Sequence, residues 1–222
     1  MRLSEADHAA VSAAVAAAEA RTDGEIVTVV ARQSDSYHDV ALHWAVLAML
    51  LTLALLAAFP GVAERTYALV DPWAARTPAG GLFAVALVLA AATFLLVRVI
   101  LAAMPLRLAL TPGSTEARRV HRRALELFRV AAERRTKART GVLLYLSLAE
   151  RRAEIVADEA IHSKVTPDLW GEAMAALLRA TRDGRPGEGM AAAVEQVGAV
   201  LAKHFPRGEG DVNELPDRLV EL

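Results

Sequence analysis

The sequence predicts an α/β domain that is interrupted by a two-helix transmembrane hairpin, and three observations lead to this fold class. Residues 40–59 form an apolar run of 20 residues in which His43 is the sole ionisable side chain. Residues 80–104 form a second run, 25 residues long and interrupted by Arg98. Each run is long enough to cross about 30 Å of hydrocarbon as a helix. The third observation is that both flanks carry helix and strand patterns typical of a folded domain.

A buried core helix is the alternative interpretation of each apolar run. Core helices average about 12 residues and carry a polar face, whereas neither run has such a face. We therefore predict a transmembrane hairpin over residues 40–104, with residues 60–79 as an external loop. His43 and Arg98 lie within about two turns of a span end, where long polar side chains reach the interface. A proton or ion relay built on these two residues is the less favoured interpretation.

The distribution of positive charge orients the hairpin. Residues 118–139 contain nine Lys or Arg against two Glu, an excess of seven, whereas the loop at 60–79 has two Arg, one Glu and one Asp. Because Lys and Arg near span ends stay on the cytoplasmic side, we expect both termini in the cytoplasm and the loop outside. Three aromatic residues suit interfacial anchors, namely Trp44, Tyr67 and Trp73.

The flank before the hairpin, residues 1–35, predicts one helix and one strand. Ser4 and Asp7 form a capping-box pattern that opens a helix ending near Ala20. Residues 25–31 are rich in β-branched side chains, which is typical of a buried strand.

The flank after the hairpin, residues 112–206, predicts a helix, a β-hairpin and two further helices. Two short strand patterns joined by a tight turn favour antiparallel pairing, and Glu150, Arg151 and Arg152 are expected in that exposed turn. Residues 207–222 are predicted to be a loosely ordered polar tail. The predicted elements are a helix at 115–137, strands at 141–148 and 153–157, a helix opened by Thr166 and Pro167, and a helix at 188–204.

The α/β flanks contain sequence that resembles the TPM domain family. The resemblance lies in the run RTGVLLYLSLAERRAEIVAD from Arg139 to Asp158, in TDGEIV from Thr22 to Val27, in Trp170 and in the ending His204-Phe-Pro. It covers residues 1–35 and about 112–206, and the inserted hairpin is similar to the bacterial membrane branch of that family. The resemblance implies a discontinuous three-layer α/β/α sandwich and a protein of the bacterial inner (cytoplasmic) membrane.

For some plant members, the resemblance also implies acid phosphatase activity with divalent metal binding. Members with an exported domain typically have Asp-Asn-Gly before the second strand and Gly-x-Gly after the third. This chain instead has Arg139-Thr-Gly141 and Asp158-Glu-Ala160 at those places.

Acidic residues at predicted strand ends are the candidate metal ligands. Ca²⁺ and Mg²⁺ take carboxylate oxygens, and ligands usually bind at strand ends of α/β sheets. Ordinary solvated turn and cap residues are the alternative. With no cysteine and no paired histidine spacing, zinc is not expected. The sequence leaves any catalytic residue unknown and predicts no other cofactor-binding residue. The four candidate ligands are Asp23, Glu25, Asp158 and Glu159.

Two function classes follow from the sequence. The first is a noncatalytic, membrane-anchored module that binds a partner or assists assembly or maintenance of a membrane complex. The alternative is a divalent-metal-dependent phosphatase, so the sequence leaves open whether the protein is an enzyme. The expected partners are the lipid bilayer and another membrane protein. Nucleic acid is not expected, because the basic residues at 118–139 follow the second apolar run and are better explained as topology determinants and contacts to lipid headgroups.

Overall fold

The computed structural model describes residues 3–74, 76–131, 140–208 and 218–222 and divides into two compact units. One unit comprises Met1–Asp35 and Gly113–Leu222, and the other comprises Ser36–Pro112. The first unit contains the sheet, and the second contains the two long apolar helices.

A four-stranded mixed sheet is the centre of the first unit. Its strands are β1 (Glu25–Ala31), β2 (Gly141–Ser147), β3 (Arg152–Ala157) and β4 (Val220–Glu221), in the order β3-β2-β1-β4. β1 pairs in parallel with β2 and with β4, whereas β2 and β3 are antiparallel. The predicted β-hairpin is therefore confirmed. The flank before the insertion and the flank after it share one sheet.

Helices cover both faces of the sheet. α1 (Glu5–Glu19), α8 (Gly171–Arg182) and α9 (Pro186–His204) pack on one face, and α6 (Gly113–Ala131) packs on the other. Alternate residues of each strand point to opposite faces, so Ile26 and Val30 of β1 join the first core and Val27 and Val29 join the second. The predicted three-layer α/β/α sandwich is confirmed. Short helical turns, α7 (Glu159–His162) and a 3₁₀ turn (Pro167–Trp170), connect β3 to α8.

The predicted capping box opens α1. The backbone N–H of Asp7 donates to the Ser4 hydroxyl at 3.1 Å, and the Asp7 carboxylate accepts the backbone N–H of Ser4 at 2.8 Å. These hydrogen bonds lower the pKa of Asp7, with the backbone bond as the largest cause. Further along, α1 packs closely on α9, where Gly198 lies against Ala18.

The described residues of the second unit form four helices, α2 (His38–Ala58), α3 (Pro60–Val70), α4 (Ala79–Ile100) and α5 (Met104–Ala109). α2 and α4 are long and apolar enough to cross a membrane, and only 11% of the residues in the 18-residue apolar stretch of each helix are buried inside the protein. This exposure separates them from the core helix of a soluble domain. A hydrogen bond from Thr52 to the Thr93 hydroxyl, at 3.2 Å, joins the two helices.

Arg107 of α5 holds together the ends of α2 and α4 that lie away from α3. Its guanidinium donates to the backbone carbonyls of Leu101, Ala102 and Ser36 at 2.6 to 2.7 Å. The first two carbonyls follow the end of α4, and Ser36 precedes α2. One cation therefore satisfies carbonyl groups beside the start of α2 and beside the end of α4.

Three features differ from the sequence-based expectations. Residues 60–79, predicted as a loop, contain α3, which begins with Pro60 at a first-turn position that favours proline. Residues 207–222, predicted as a polar tail, end in β4, because the backbones of Val30 and Leu222 and of Arg32 and Leu222 form hydrogen bonds of 2.9 Å. The helix predicted at 115–137 is observed from Gly113 to Ala131, and its last six predicted residues lie outside the described ranges.

The close approach of α1 and α9 predicts a stability difference between two glycine substitutions. A Cβ atom added at Gly198 would lie 2.5 Å from the Ala18 Cβ atom, whereas one added at Gly171 meets nothing within 4 Å. Gly198→Ala should lower the free energy of unfolding by about 1–3 kcal/mol through overpacking. Gly171→Ala should raise it by about 0.4–1 kcal/mol. Denaturant titration of both variants measures the difference, and equal stabilities would contradict this helix packing.

Candidate functional site

The predicted ligand Asp158 lies where β3 ends, beside the start of β2. Its carboxylate accepts the backbone N–H of Gly141 at 2.9 Å, and its own backbone N–H donates to the Gly141 carbonyl at 3.0 Å. The side chain is buried. Asp158 therefore continues the β2–β3 ladder by one residue, with its carboxylate pairing a backbone donor at the sheet edge.

Glu25 lies at the same edge of the sheet, at the start of β1. It is buried, and it pairs with Gly141 in the parallel register. Glu25 and Asp158 thus flank Gly141 on opposite sides, and two strand spacings put their backbones about 10 Å apart. The structure brings these two predicted residues to one edge of the sheet.

Asp23 and Glu159 complete the predicted set. The Asp23 carboxylate accepts the backbone N–H of Gly208 at 2.7 Å, and the Asp23 backbone N–H donates to the Phe205 carbonyl at 3.1 Å. Glu159 is exposed in the first turn of α7. Asp23 therefore fastens the chain after α9 to the loop before β1.

The four predicted ligands do not gather into one cluster among the described residues. Calcium takes six to eight oxygen ligands, and two of the four carboxylates already accept backbone N–H groups. Within residues 3–74, 76–131, 140–208 and 218–222, no group of three or more His, Asp or Glu is arranged to hold a metal ion. Metal binding by Asp23, Glu25, Asp158 and Glu159 stays a prediction.

A second polar cluster, at the opposite edge of the sheet, was not predicted. Glu150 follows β2, and its carboxylate accepts the backbone N–H of Ser34 at 2.9 Å and the hydroxyl of Ser147. Ser34 also forms a 2.9 Å hydrogen bond with the Tyr145 hydroxyl. The expectation that Glu150 lies in an exposed turn is therefore wrong, because its side chain is buried by these contacts, whereas Arg151 is exposed.

The cluster of Ser34, Tyr145, Ser147 and Glu150 has the chemistry of a structural network. Burial raises the pKa of the Tyr145 hydroxyl; the Ser34 hydrogen bond acts against this rise, and the Glu150 charge adds to it. Tyr145 therefore stays protonated well above neutral pH. Ser147 donates to a carboxylate, as a serine nucleophile can do, but it has no exposed surface for a substrate to reach.

Ion pairs extend this edge to α6. The Arg119 guanidinium lies 3.1 Å from the Asp35 carboxylate, and Arg122 lies 3.4 Å from the same carboxylate. Arg152 donates to the Gly113 carbonyl at 3.0 Å. Arg119 and Arg122 belong to the basic segment from which the sequence predicted the orientation of the hairpin. In the structure they connect α6 to the segment after β1.

Comparison with known proteins relates the chain to one domain family. The model of the TPM domain family matches residues 106–200, a range that contains α6, β2, β3, α8 and most of α9. The matched range does not include residues 1–35, although TDGEIV at 22–27 also resembles the family. No curated protein matches the chain.

A solved structure has the same fold. The BA42 protein of the psychrophilic bacterium Bizionia argentinensis, determined by NMR, is 18% identical to this chain with a TM-score of 0.58. The alignment covers 100% of this chain and 97% of BA42. At this identity the similarity concerns the fold.

The Glu150 contacts predict that this buried carboxylate matters for stability. Glu150→Ala removes the acceptor of the Ser34 N–H and the Ser147 hydroxyl, and each unsatisfied buried group costs about 1–3 kcal/mol. We expect the free energy of unfolding to fall by about 2–4 kcal/mol. Glu126→Ala, which removes an exposed carboxylate of α6 paired with Arg123, should change it by less than about 1 kcal/mol. Denaturant titration checks both values, and a neutral Glu150→Ala would contradict the structural role.

The family match therefore places the similarity to the TPM domain on residues 106–200, most of which belong to the part of the α/β unit that follows the inserted helices.

Proposed function

We propose that the protein is a membrane-anchored, noncatalytic TPM-like module that binds a partner or assists assembly or maintenance of a membrane complex. The observation that carries this proposal is the insertion of α2 and α4 between two strands of one sheet. Both helices leave most of their large apolar side chains exposed. In water, an exposed apolar surface of this extent marks an interaction site, and hydrocarbon is the environment that suits two uninterrupted helices of 21 and 22 residues.

The shared sheet supports a two-span topology. β1 precedes the inserted helices, and β2 follows them, yet the two strands pair over seven residues. Strands that pair must lie on the same side of a membrane, so the chain between them crosses it an even number of times. Two crossings, by α2 and α4, satisfy this requirement.

Charge and family resemblance supply the remaining parts of the proposal. The basic residues of α6 follow α4 closely in the sequence, and positive flanks stay in the cytoplasm. We therefore assign both termini to the cytoplasmic side of a bacterial inner membrane, residues 60–79 to the outer side, and the protein to the membrane branch of the TPM family.

A noncatalytic role is supported by what the polar side chains contact. Asp158 and Asp23 accept backbone N–H groups, and Ser147 and Glu150 pair with each other in a buried position. These groups hold loops to strands. The alternative, a divalent-metal-dependent phosphatase, is favoured by one observation, the shared sheet edge of Glu25 and Asp158.

Single-cysteine labelling tests the proposed topology, because the chain has no cysteine of its own. Ala68 is exposed on α3, and Gln196 is exposed on α9. On intact cells an impermeant maleimide should label Ala68→Cys and leave Gln196→Cys unlabelled, and after lysis it should label both. Labelling of Gln196→Cys alone would reverse the orientation. Protection of both sites in intact cells would contradict the two-span proposal.

Replacement of Asp158 separates the two function classes. Asp158→Asn keeps an oxygen that accepts the Gly141 N–H, so we expect the melting temperature to stay close to that of the unmodified protein, with or without a chelator. We also expect the unmodified protein to show no phosphomonoesterase activity in the presence of Mg²⁺ or Ca²⁺. A calorimetric Mg²⁺ or Ca²⁺ signal that is lost in both Asp158→Asn and Glu25→Gln, together with activity lost in parallel, would establish the phosphatase alternative. Glu172→Gln, a change at an exposed carboxylate of α8 outside the predicted ligand set, serves as the matched control.

A further inference from the structure

α3 is fixed to the ends of both long apolar helices. Only Phe59 separates the end of α2 from the start of α3. On its packed side, Ala63 is buried, and the ring of Tyr67 lies against Gly81, the third residue of α4. A Cβ atom added at Gly81 would lie 2.4 Å from the Tyr67 ring. α3 therefore stays at the level where α2 ends and α4 begins.

The packed side of α3 leaves a neighbouring apolar stripe uncovered. Val62 and Leu69 are 50% and 83% exposed, and their seven-residue spacing puts them on one line along the helix. Phe59 and Trp73, 61% and 93% exposed, lie just beyond the two ends of α3. After α3 ends, the Asp71 carboxylate accepts the backbone N–H of Trp73 at 3.3 Å, which shapes the turn that carries this indole.

The acidic residue of α3 lies on a different side. Glu64 and Arg65 are exposed, and at about 100° per residue Glu64 lies roughly 140° around the helix from Leu69. Arg65 lies about 40° from Leu69 and borders the stripe, where a long basic side chain can keep its stem along apolar groups and its charge among headgroups. α3 thus has three sides: one packed on the hairpin, one apolar and exposed with Arg65 at its border, and a charged one that carries Glu64. A helix with an exposed apolar side and a charged side lies in the plane of a lipid interface, where Trp and Tyr are also enriched.

We propose that α3 is an interfacial helix, whose apolar stripe of Phe59, Val62, Leu69 and Trp73 lies in the boundary between lipid headgroups and acyl chains. This inference rests on the proposed membrane anchoring by α2 and α4. The partner is the lipid itself, because the stripe continues directly from the end of a lipid-facing helix and Tyr67 keeps α3 at that depth. The consequence is a third membrane contact, which resists tilting of the hairpin.

Depth measurement in pure lipid tests this inference. The full chain, with a nitroxide on a single introduced cysteine, is reconstituted into liposomes of phosphatidylethanolamine and phosphatidylglycerol. Three positions are compared: Leu69→Cys on the stripe, Glu64→Cys on the charged side of the same helix, and Leu87→Cys in α4. Collision with O₂, which concentrates in hydrocarbon, and with a water-soluble nickel chelate gives an accessibility ratio for each position.

We expect the O₂-to-nickel ratio at position 69 to be several-fold higher than at position 64 and lower than at position 87. If positions 69 and 64 give equal ratios while position 87 remains in hydrocarbon, the interfacial helix is wrong and the anchoring stands. That result would mean that the stripe faces water, or the site of a protein partner, and does not contact lipid. If position 87 matches position 64, the anchoring fails and the interfacial helix fails with it.

Discussion

The parallel pairing of β1 with β2 is the constraint on which the other parts of the α/β unit depend. Seven residues pair in register, from Glu25 opposite Gly141 to Ala31 opposite Ser147. A parallel pair requires a crossover connection, and here that connection contains α2 to α6. The pairing leaves both strands buried on both faces, which requires α1 and α9 on one side and α6 on the other. Closing such a long connection costs entropy that grows only slowly with its length.

The elements with strong periodic patterns could be predicted from the sequence, and the elements that depend on tertiary contacts could not. The strands of the central pair are continuous apolar runs, and Ser4 with Asp7 is a local capping signal that needs no other part of the fold. In α3, few apolar residues alternate with Glu64 and Arg65 in the sequence, and the position of the helix depends on the Tyr67 contact with Gly81. β4 is two residues long and pairs with β1 along the edge that β2 leaves free.

The polar residues show a similar division. The sequence indicated that acidic residues lie at strand ends, and Glu25 and Asp158 do share one edge of the sheet. Composition does not reveal what a carboxylate contacts. Asp158 contacts a backbone N–H group, and Glu150, beside two arginines in a turn, folds inward to Ser34 and Ser147. The signal that was available for Glu150 was its position three residues after Ser147, a spacing at which a tight turn brings two side chains together.

The register of the central strands also has a consequence for biosynthesis. Glu25 cannot pair with Gly141 until Gly141 has been synthesised, and Gly141 lies 116 residues later in the chain (141 − 25). At ribosomal rates of about 5–20 residues per second, this wait is roughly 6–23 seconds. During that interval both edges of β1 lack their partners, and the apolar helices that follow it leave the ribosome before β2 does. A strand in this state is a template for incorrect pairing. If α2 and α4 insert into a membrane as proposed, prompt insertion would keep β1 near the membrane surface until β2 emerges.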